Sequence, residues 1–342
     1  MASIKKCLVW DLDNTLWDGV CLEGAVRLRP EAADTLAALD GRGILQSVAS
    51  RGESDLALGQ LRTFALDEYF LAPKINWLPK HTNIIAIGRE LDIPLDAMAF
   101  VDDEPFELAQ VAAMLPGVMP LHAREVGGLT AFPEFTPSTT TPEARARRQF
   151  YRAESERRSE ERRCASRAAF LHACDMRLTL RPMDVGDVPR VVELMTRTHQ
   201  LNTTGVRYAP GEVRSLAQAP GPTHLVTVAD LTDRFGDYGT IGVAIVRMSA
   251  TTWTLRYLAL SCRVLGRGIE RAFLVTLLRD AAQRGYRNAQ ALFRTTGRNR
   301  QMRVLYHVAG FRADHTDERE DATVFGMSLD ALPAGPDWVA VR

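Results

Sequence analysis

Three observations predict an α/β fold around a parallel sheet in the first part of this chain, followed by an α+β domain. Over about the first 125 residues, short apolar runs alternate with amphipathic helical stretches, the pattern of βαβ units. Several of those runs end directly on acidic or hydroxyl side chains, as strands do at the ligand-bearing edge of an open α/β sheet. From near residue 176 the pattern changes to strands in succession, broken by fewer helices.

In chain order, strands are predicted over 7–10, 44–49, 99–101 and 118–121, with helices over 31–41, 54–66, 81–91 and 106–114. Residues 135–142 form a Pro/Thr-rich connector. Between 143 and 163 stand eight arginines and five glutamates with few apolar residues, which predicts an exposed helix laced with i,i+4 ion pairs. Such a basic stretch also offers a docking face for an acidic partner protein. Beyond it, strands are predicted at 177–182, 224–229, 240–248, 252–260 and 289–293, and helices at 185–197, 268–283 and 298–308. The domain boundaries read as 1–130, a connector with its charged helix over 131–175, and 176–342.

Composition narrows the class. At 342 residues the chain is long for one core, and two domains are the natural expectation. Lys+Arg and Asp+Glu balance at 42 each, against a general nucleic-acid binder. No apolar run approaches the ~20 residues of a membrane span. The start, Met1-Ala-Ser-Ile-Lys5-Lys6, lacks a signal-peptide apolar region. Five irregularly spaced cysteines (7, 21, 164, 174, 262) without a Cys-x-x-Cys pair argue against zinc and disulfide frameworks and for a reduced, cytoplasmic protein.

The most informative stretch is Val9-Trp-Asp11-Leu-Asp13-Asn14-Thr15. Two carboxylates one residue apart at a buried strand end repel each other unless a cation or protons compensate. A hard, oxygen-seeking cation such as Mg²⁺, shared with substrate phosphate, is the simplest compensation. Three further features recur at predicted strand ends. Ser50 closes Leu45-Gln-Ser-Val-Ala-Ser50 and offers a hydroxyl and backbone N–H groups to a phosphoryl oxygen. Lys80 stands just ahead of a helix and neutralises anionic charge, and Asp102-Asp103 follow the strand Met98-Ala-Phe-Val101 and complete a metal site.

Together, Asp-Leu-Asp-Asn-Thr, Ser50, Lys80 and Asp102-Asp103 resemble the four motifs of the haloacid dehalogenase (HAD) superfamily of phosphatases and phosphotransferases. The resemblance implies a Rossmann-like domain. It implies that Asp11 is the nucleophile that becomes an aspartyl-phosphate, and that Asp13 protonates the leaving oxygen and then activates water. It also implies Mg²⁺ held by Asp11, the Asp13 backbone carbonyl and Asp102, with Asp103 in support. The 38 residues between Asp11 and Ser50 and the 51 between Ser50 and Asp102 leave no room for a large cap domain. The site is therefore expected to be open, with 23–30 reading as a small flap, and suited to a substrate carried on a large partner.

In the second domain, Arg263-Val-Leu-Gly266-Arg267-Gly268 follows a strand and opens a helix, a loop whose N–H groups cradle phosphate. Arg-x-x-Gly-x-Gly is similar to the cofactor loop of GNAT-type N-acyltransferases, and Asn299, Leu305-Tyr306 and Gly310-Phe311 resemble the end of that fold. Nearly end to end, the chain resembles the FkbH family, a HAD domain fused to a GNAT-like domain. The matching segments are 10–17, Asn76-Trp77-x-Pro79-Lys80, 101–107, 197–208, 233–237 and 260–268. Three positions depart from the family: Ser50-Arg51-Gly52 replaces Ser-Lys-Asn, Asp18-Gly19 replaces Gly-Gly, and His199 replaces Asn.

That resemblance implies a bifunctional glyceryl transferase/phosphatase. Such an enzyme takes glyceryl from 1,3-bisphosphoglycerate, removes phosphate and loads the phosphopantetheine thiol of an acyl carrier protein for polyketide-type biosynthesis. The family mechanism passes through an enzyme cysteine. Cys262, beside Arg263 and the loop N–H groups, sits in an electropositive setting that favours a thiolate, and Cys164, following Arg162 and Arg163, is the alternative. Cys7, Cys21 and Cys174 read as structural. Arg263, Gly266 and Gly268 are the expected phosphate contacts of this domain. The loop equally suits a phosphatase fused to a CoA-dependent N-acyltransferase, and the charged segment 143–163 suits a non-catalytic carrier-protein docking module.

Overall fold

A computed structural model describes residues 4–137, 140–218 and 223–342; Ser138 and Thr139 of the Pro/Thr-rich connector lie outside the described residues. The chain divides into two compact units, 1–155 and 156–342.

Unit 1 is an α/β fold on a five-stranded parallel sheet. Its elements are β1 (Cys7–Trp10), α1 (Pro30–Gly41), β2 (Leu45–Ser50), α2 (Ser54–Thr63), β3 (Lys74–Ile75), α3 (Lys80–Glu90), β4 (Met98–Asp102), α4 (Pro105–Met114) and β5 (Met119–His122). The spatial order is β3-β2-β1-β4-β5, parallel throughout. All residues of β1, β2 and β4 are buried. These central strands are covered on both faces, which is why β1 and the first four residues of β4 read as continuous apolar runs rather than alternation. β2 buries polar side chains as well, Gln46 accepting from Trp10 Nε1 at 2.8 Å. One face packs Leu8, Trp10 and Val48 against Leu36, Leu39 and Leu61, and the other packs Val9 and Phe100 against Ile84, Ile87 and Val111. A two-stranded ribbon, Trp17–Asp18 with Arg27–Leu28, stands where the flap is expected. Its turn is pinned by Asp18, which accepts from Arg29 (2.7 Å) and Arg27 (3.2 Å).

The segment 143–163 differs from its expectation. It forms a short helix, Pro142–Arg145, and then α5 (Arg147–Glu161), the helix in which the division between units falls. Only half of its eight arginines, Arg145, Arg158, Arg162 and Arg163, are exposed. Arg148 donates to Asp40 (3.0 Å), Arg147 to the Gly43 carbonyl (2.5 Å), and Arg157 is 2% exposed, paired with Asp233 at 2.9 Å. A helix read as polar all round is thus anchored by ion pairs that no local pattern reports. The close approach to Gly43 (φ +72°) requires glycine: a Cβ there would lie 2.3 Å from the Ala144 carbonyl oxygen.

Unit 2 is α+β. Its further elements are α6 (Arg167–Ala173), β6 (Met176–Pro182), α7 (Val188–Arg197), α8 (Pro210–Gln218), β7 (His224–Asp233), β8 (Gly236–Met248), β9 (Trp253–Leu260), α9 (Ile269–Gln283), β10 (Asn288–Phe293), α10 (Arg300–Val308), β11 (Arg312–Asp317), β12 (Ala322–Ser328) and β13 (Val339–Val341). The eight strands run β11-β12-β10-β9-β8-β7-β6-β13, antiparallel except for the β9–β10 and β6–β13 pairs. Helix α9 buries Phe273, Leu274, Leu277, Leu278 and Ala281 against Trp253, Leu258 and Leu260 of the sheet. Sequence reading missed the two-residue β3, the C-terminal strands β11 to β13, and helices α6 and α8.

The parallel pair β9–β10 is joined only at Trp253, Thr254 and Leu255. Beyond Leu255 the strands part, and the chain's own segment 201–203 fills the wedge. Leu260 N–H donates to the Leu201 carbonyl (2.9 Å), Thr203 N–H to Leu258 (3.0 Å) and Arg294 N–H to Thr203 (3.0 Å). Backbone groups exposed by the splay are thereby satisfied internally. Among the described residues, no helix is long and apolar enough to cross a membrane.

Candidate active site

The carboxyl ends of β1, β2 and β4, together with the start of α3, converge in unit 1. Asp11 follows β1 directly, and its N–H donates to the Val101 carbonyl (2.9 Å), tying it to β4. Ser50 ends β2, 2% exposed, and hydrogen-bonds the Asp11 carboxylate. Asp102 ends β4 fully buried, its Oδ1 accepting from the Glu104 N–H (2.9 Å). Lys80 is the first residue of α3, set after Pro79, and its Nζ donates to Asp102 Oδ2 at 2.6 Å and to Asp11 Oδ1 at 2.9 Å. Asp103, half-buried, accepts weakly from Thr15 Oγ1 (3.4 Å).

Electrostatics follow from burial. Desolvation pushes the Asp11 carboxyl up to about 7, with Lys80 opposing and Asp102 adding to the rise. Asp102 is raised by the same cause, again against Lys80. For Lys80 burial pulls downward, but the two carboxylates outweigh it and hold the amine above the usual lysine range. One lysine therefore does not offset the negative charge gathered here.

The donor chemistry fits a divalent cation. Asp11, Asp102 and Asp103 each bring a carboxylate oxygen to within 4.8 Å of the others. An all-oxygen set with excess negative charge suits a hard ion such as Mg²⁺ rather than zinc or copper. The Asp13 side chain is not in this group. Its Oδ1 accepts from Trp17 Nε1 (2.8 Å) and the Cys21 N–H (3.0 Å), which fix the carboxylate beside the cluster. The turn that carries it needs Asn14 at φ +52°, a left-handed conformation that asparagine tolerates. Asp13, Cys21 and Ser50 line one small pocket with Trp17, Arg51 and Leu56.

Sequence reasoning gave Thr15, Trp17 and Glu107 no role of their own, although each lies in a segment it quoted. Arg51 binds Glu107 at 2.8 Å, and the other Glu107 oxygen, Oε2, is buried without a partner. The pairing of Arg51 with a residue 56 positions later carries no local signal.

In unit 2 the residues 263–268 do link a strand to a helix, β9 to α9. Arg263 Nε donates to Ser261 Oγ (3.1 Å) and its Nη2 to the Tyr238 carbonyl (3.2 Å). Gly266 and Gly268 both have positive φ (+74° and +78°), with Gly268 as the N-cap of α9. The carbonyls of Gly266 and Arg267 accept from Arg167 Nη2 and Trp338 Nε1, each at 2.8 Å. All five cysteines lie among the described residues, and Cys262, in the turn after β9, is the exposed one. Cys7 and Cys174 are buried, and burial pushes the Cys7 thiol up to about 12 and Cys174 upward. Cys164 is half-buried and packs against the unit 2 core.

No protein-family model matches the chain, and no curated protein does. Solved structures similar to parts of it include a phosphatase domain and N-acetyltransferases. One is the N-terminal part of a Bacteroides fragilis protein containing a phosphatase domain, complexed with Mg. It is 30% identical over 35% of this chain and 36% of that chain, with a TM-score of 0.33. The likeness therefore spans about a third of that chain's length. The ribosomal-protein-S18-alanine N-acetyltransferase of Escherichia coli is 19% identical over 47% of this chain and 97% of that one, with a TM-score of 0.35. An N-acetyltransferase of Thermoplasma acidophilum in complex with coenzyme A is 14% identical over 44% and 98%, with a TM-score of 0.37. All three scores lie below 0.5, and each likeness covers less than half of this chain.

Proposed function

We propose that this protein is a bifunctional glyceryl transferase/phosphatase. It takes the glyceryl group of 1,3-bisphosphoglycerate, removes phosphate and delivers glyceryl to the phosphopantetheine thiol of an acyl carrier protein. The observation that carries the phosphatase half is the Lys80 bridge between Asp11 and Asp102, with Asp103 beside them. The transferase half rests on the sequence resemblance and on an exposed thiol at Cys262 next to the loop 263–268.

The Cys262 thiolate attacks the acyl carbon of 1,3-bisphosphoglycerate; the C–S bond forms and the acyl C–O bond breaks, releasing inorganic phosphate. At the 3-phosphate ester of the glyceryl unit, an Asp11 carboxylate oxygen bonds to phosphorus while the bond from phosphorus to the ester oxygen breaks, and Asp13 gives its proton to that departing oxygen. Asp13, now ionised, takes a proton from water, which hydrolyses the aspartyl-phosphate. Lys80 and Ser50 hold the phosphoryl oxygens. Mg²⁺, held by Asp11, Asp102, Asp103 and the Asp13 carbonyl, would supply further positive charge to those oxygens. The carrier's thiol finally takes glyceryl from the cysteine, with thiol–thioester exchange returning Cys262.

The test is intact-protein mass spectrometry of the purified protein with 1,3-bisphosphoglycerate, Mg²⁺ and a holo-carrier protein. A carrier mass increase of one glyceryl unit supports the reading, and its absence with a verified cognate carrier overturns it. A second reading, a phosphatase joined to a CoA-dependent N-acyltransferase, is favoured by the Gly266/Gly268 turn at the N-terminus of α9. Tight acetyl-CoA binding with acetyl transfer to an amine would establish it instead.

A further inference from the structure

Unit 2 contains a second cavity of about 230 Å³, lined by Thr198, His199, Gly205, Arg207, Thr296 and Arg298 among others. That is below the ~300–1,000 Å³ of clefts that enclose drug-sized ligands, which leaves room for a small molecule only. Three features make it a built site. Its two walls, the connection between α7 and α8 and the loop 294–299, are clamped by one buried side chain. Asn299, 1% exposed, donates through Nδ2 to the carbonyls of Asn202 (2.9 Å) and Arg294 (2.8 Å), and through Oδ1 accepts the Thr296 N–H (3.0 Å). Asn202, also 1% exposed, shapes the other wall by accepting the N–H groups of Thr204 (3.2 Å) and Gly205 (2.8 Å). Gly205 has φ +68°, and a Cβ there would stand 2.6 Å from the Thr296 methyl, so the walls meet as closely as glycine allows.

The charge in this pocket is one-sided. Arg207 and Arg298 both line it, and neither has an acidic partner among the described residues. Elsewhere in unit 2, Arg157 pairs with Asp233, Arg181 with Asp187 and Asp230, and Arg256 with Glu320. A lining with two arginines, two threonines and a histidine matches a dianion with several acceptor oxygens, the recognition chemistry of a phosphate. We propose that this pocket seats a small phosphorylated acid by its phosphate, with Arg207 and Arg298 as the charged partners. That the acid is a phosphoglyceryl group rests on the function proposed above; the anion chemistry of the pocket does not.

The test is calorimetry on the full chain carrying Asp11→Asn, in EDTA, so that unit 1 neither holds metal nor turns over ligand. Titrants are 3-phosphoglycerate, inorganic phosphate and glycerate. We expect 3-phosphoglycerate to bind, inorganic phosphate to bind more weakly and compete, and glycerate not to bind. Adding Arg207→Gln and Arg298→Gln together should weaken 3-phosphoglycerate at least tenfold, and both side chains are exposed, so the fold is retained. Undiminished affinity in that variant, or glycerate binding as well as 3-phosphoglycerate, overturns the proposal. An independent readout on the unmodified side chains is phenylglyoxal labelling mapped by mass spectrometry. 3-Phosphoglycerate should slow labelling of Arg207 and Arg298 but not of the exposed Arg177, and equal rates overturn the site. Failure of glyceryl loading with this binding intact would sink the proposed activity alone; loss of binding with phosphate release intact would sink the pocket alone.

Discussion

Lys80 and Asp102 form a buried ion pair at 2.6 Å, with side chains 6% and 0% exposed, and the same ammonium reaches Asp11 at 2.9 Å. One cation thus serves two carboxylates drawn from two different strands. Burial raises both acids despite it, so ionising either of them in the fold is less favourable than in water.

Removing one of those charges should stabilise the metal-free protein while abolishing chemistry. Asp11→Asn is expected to stop phosphate release and, in EDTA, to raise the melting temperature of unit 1 by roughly 2–4 °C per kcal/mol relieved. The pH sign follows from a carboxyl raised in the folded state from near 3.8 to about 7. Between those values the folded state holds more protons than the unfolded state, so stability falls as pH rises through that window. Asn at position 11 should flatten that fall. A variant no more stable than wild type in EDTA at pH 7 would contradict the charge argument.

Lys80→Ala should act in the opposite direction. It leaves Asp102 and Asp11 buried without their cation, a loss of about 3–5 kcal/mol for a broken buried pair. Mg²⁺ should recover more stability in this variant than in wild type, because the ion then compensates the larger uncovered charge. Chemical denaturation with and without Mg²⁺ reads both effects.

In unit 2, Arg157 is the corresponding anchor. It pairs with fully buried Asp233 at 2.9 Å, and Tyr238 donates to the same carboxylate at 2.8 Å. Its guanidinium also lies 4.9 Å from the Phe235 ring and 5.0 Å from Tyr238. Arg157→Ala is expected to cost about 3–5 kcal/mol, whereas Arg162→Ala, at an exposed position, should change stability by less than about 0.5 kcal/mol. Equal effects of the two would show that the burial of Arg157 carries no energy.

Thiol labelling of the native protein should follow exposure. Iodoacetamide is expected to modify Cys262 first and Cys7 and Cys174 last, since the latter two are fully buried with raised thiols. Peptide mapping over time checks the order. Prior incubation with 1,3-bisphosphoglycerate should protect Cys262 if it carries the acyl group.

The strands β1 and β4 were legible because a strand buried on both faces writes itself as a continuous apolar run; β2, with Gln46 and Ser47 buried among its apolar residues, carries a weaker form of that signal. The runs at Cys7–Trp10, Leu45–Ser50 and Met98–Asp102 lie where periodicity places them, to within a residue or two. The strand β11 left no such trace: five of its six residues are exposed, so it has no apolar face to advertise. Its pairing comes from ladder hydrogen bonds with β12, which any residue can make. Sequence order alone could rank Asp11, Lys80 and Asp102 as candidates, since each carries its chemistry in its own side chain. That one ammonium stands between two of those acids, that Arg157 leaves solvent for Asp233, and that residues 201–203 fill a gap between β9 and β10 are matters of chain segments distant in sequence meeting in space. Such contacts depend on the packing of whole elements, and no local spacing encodes them.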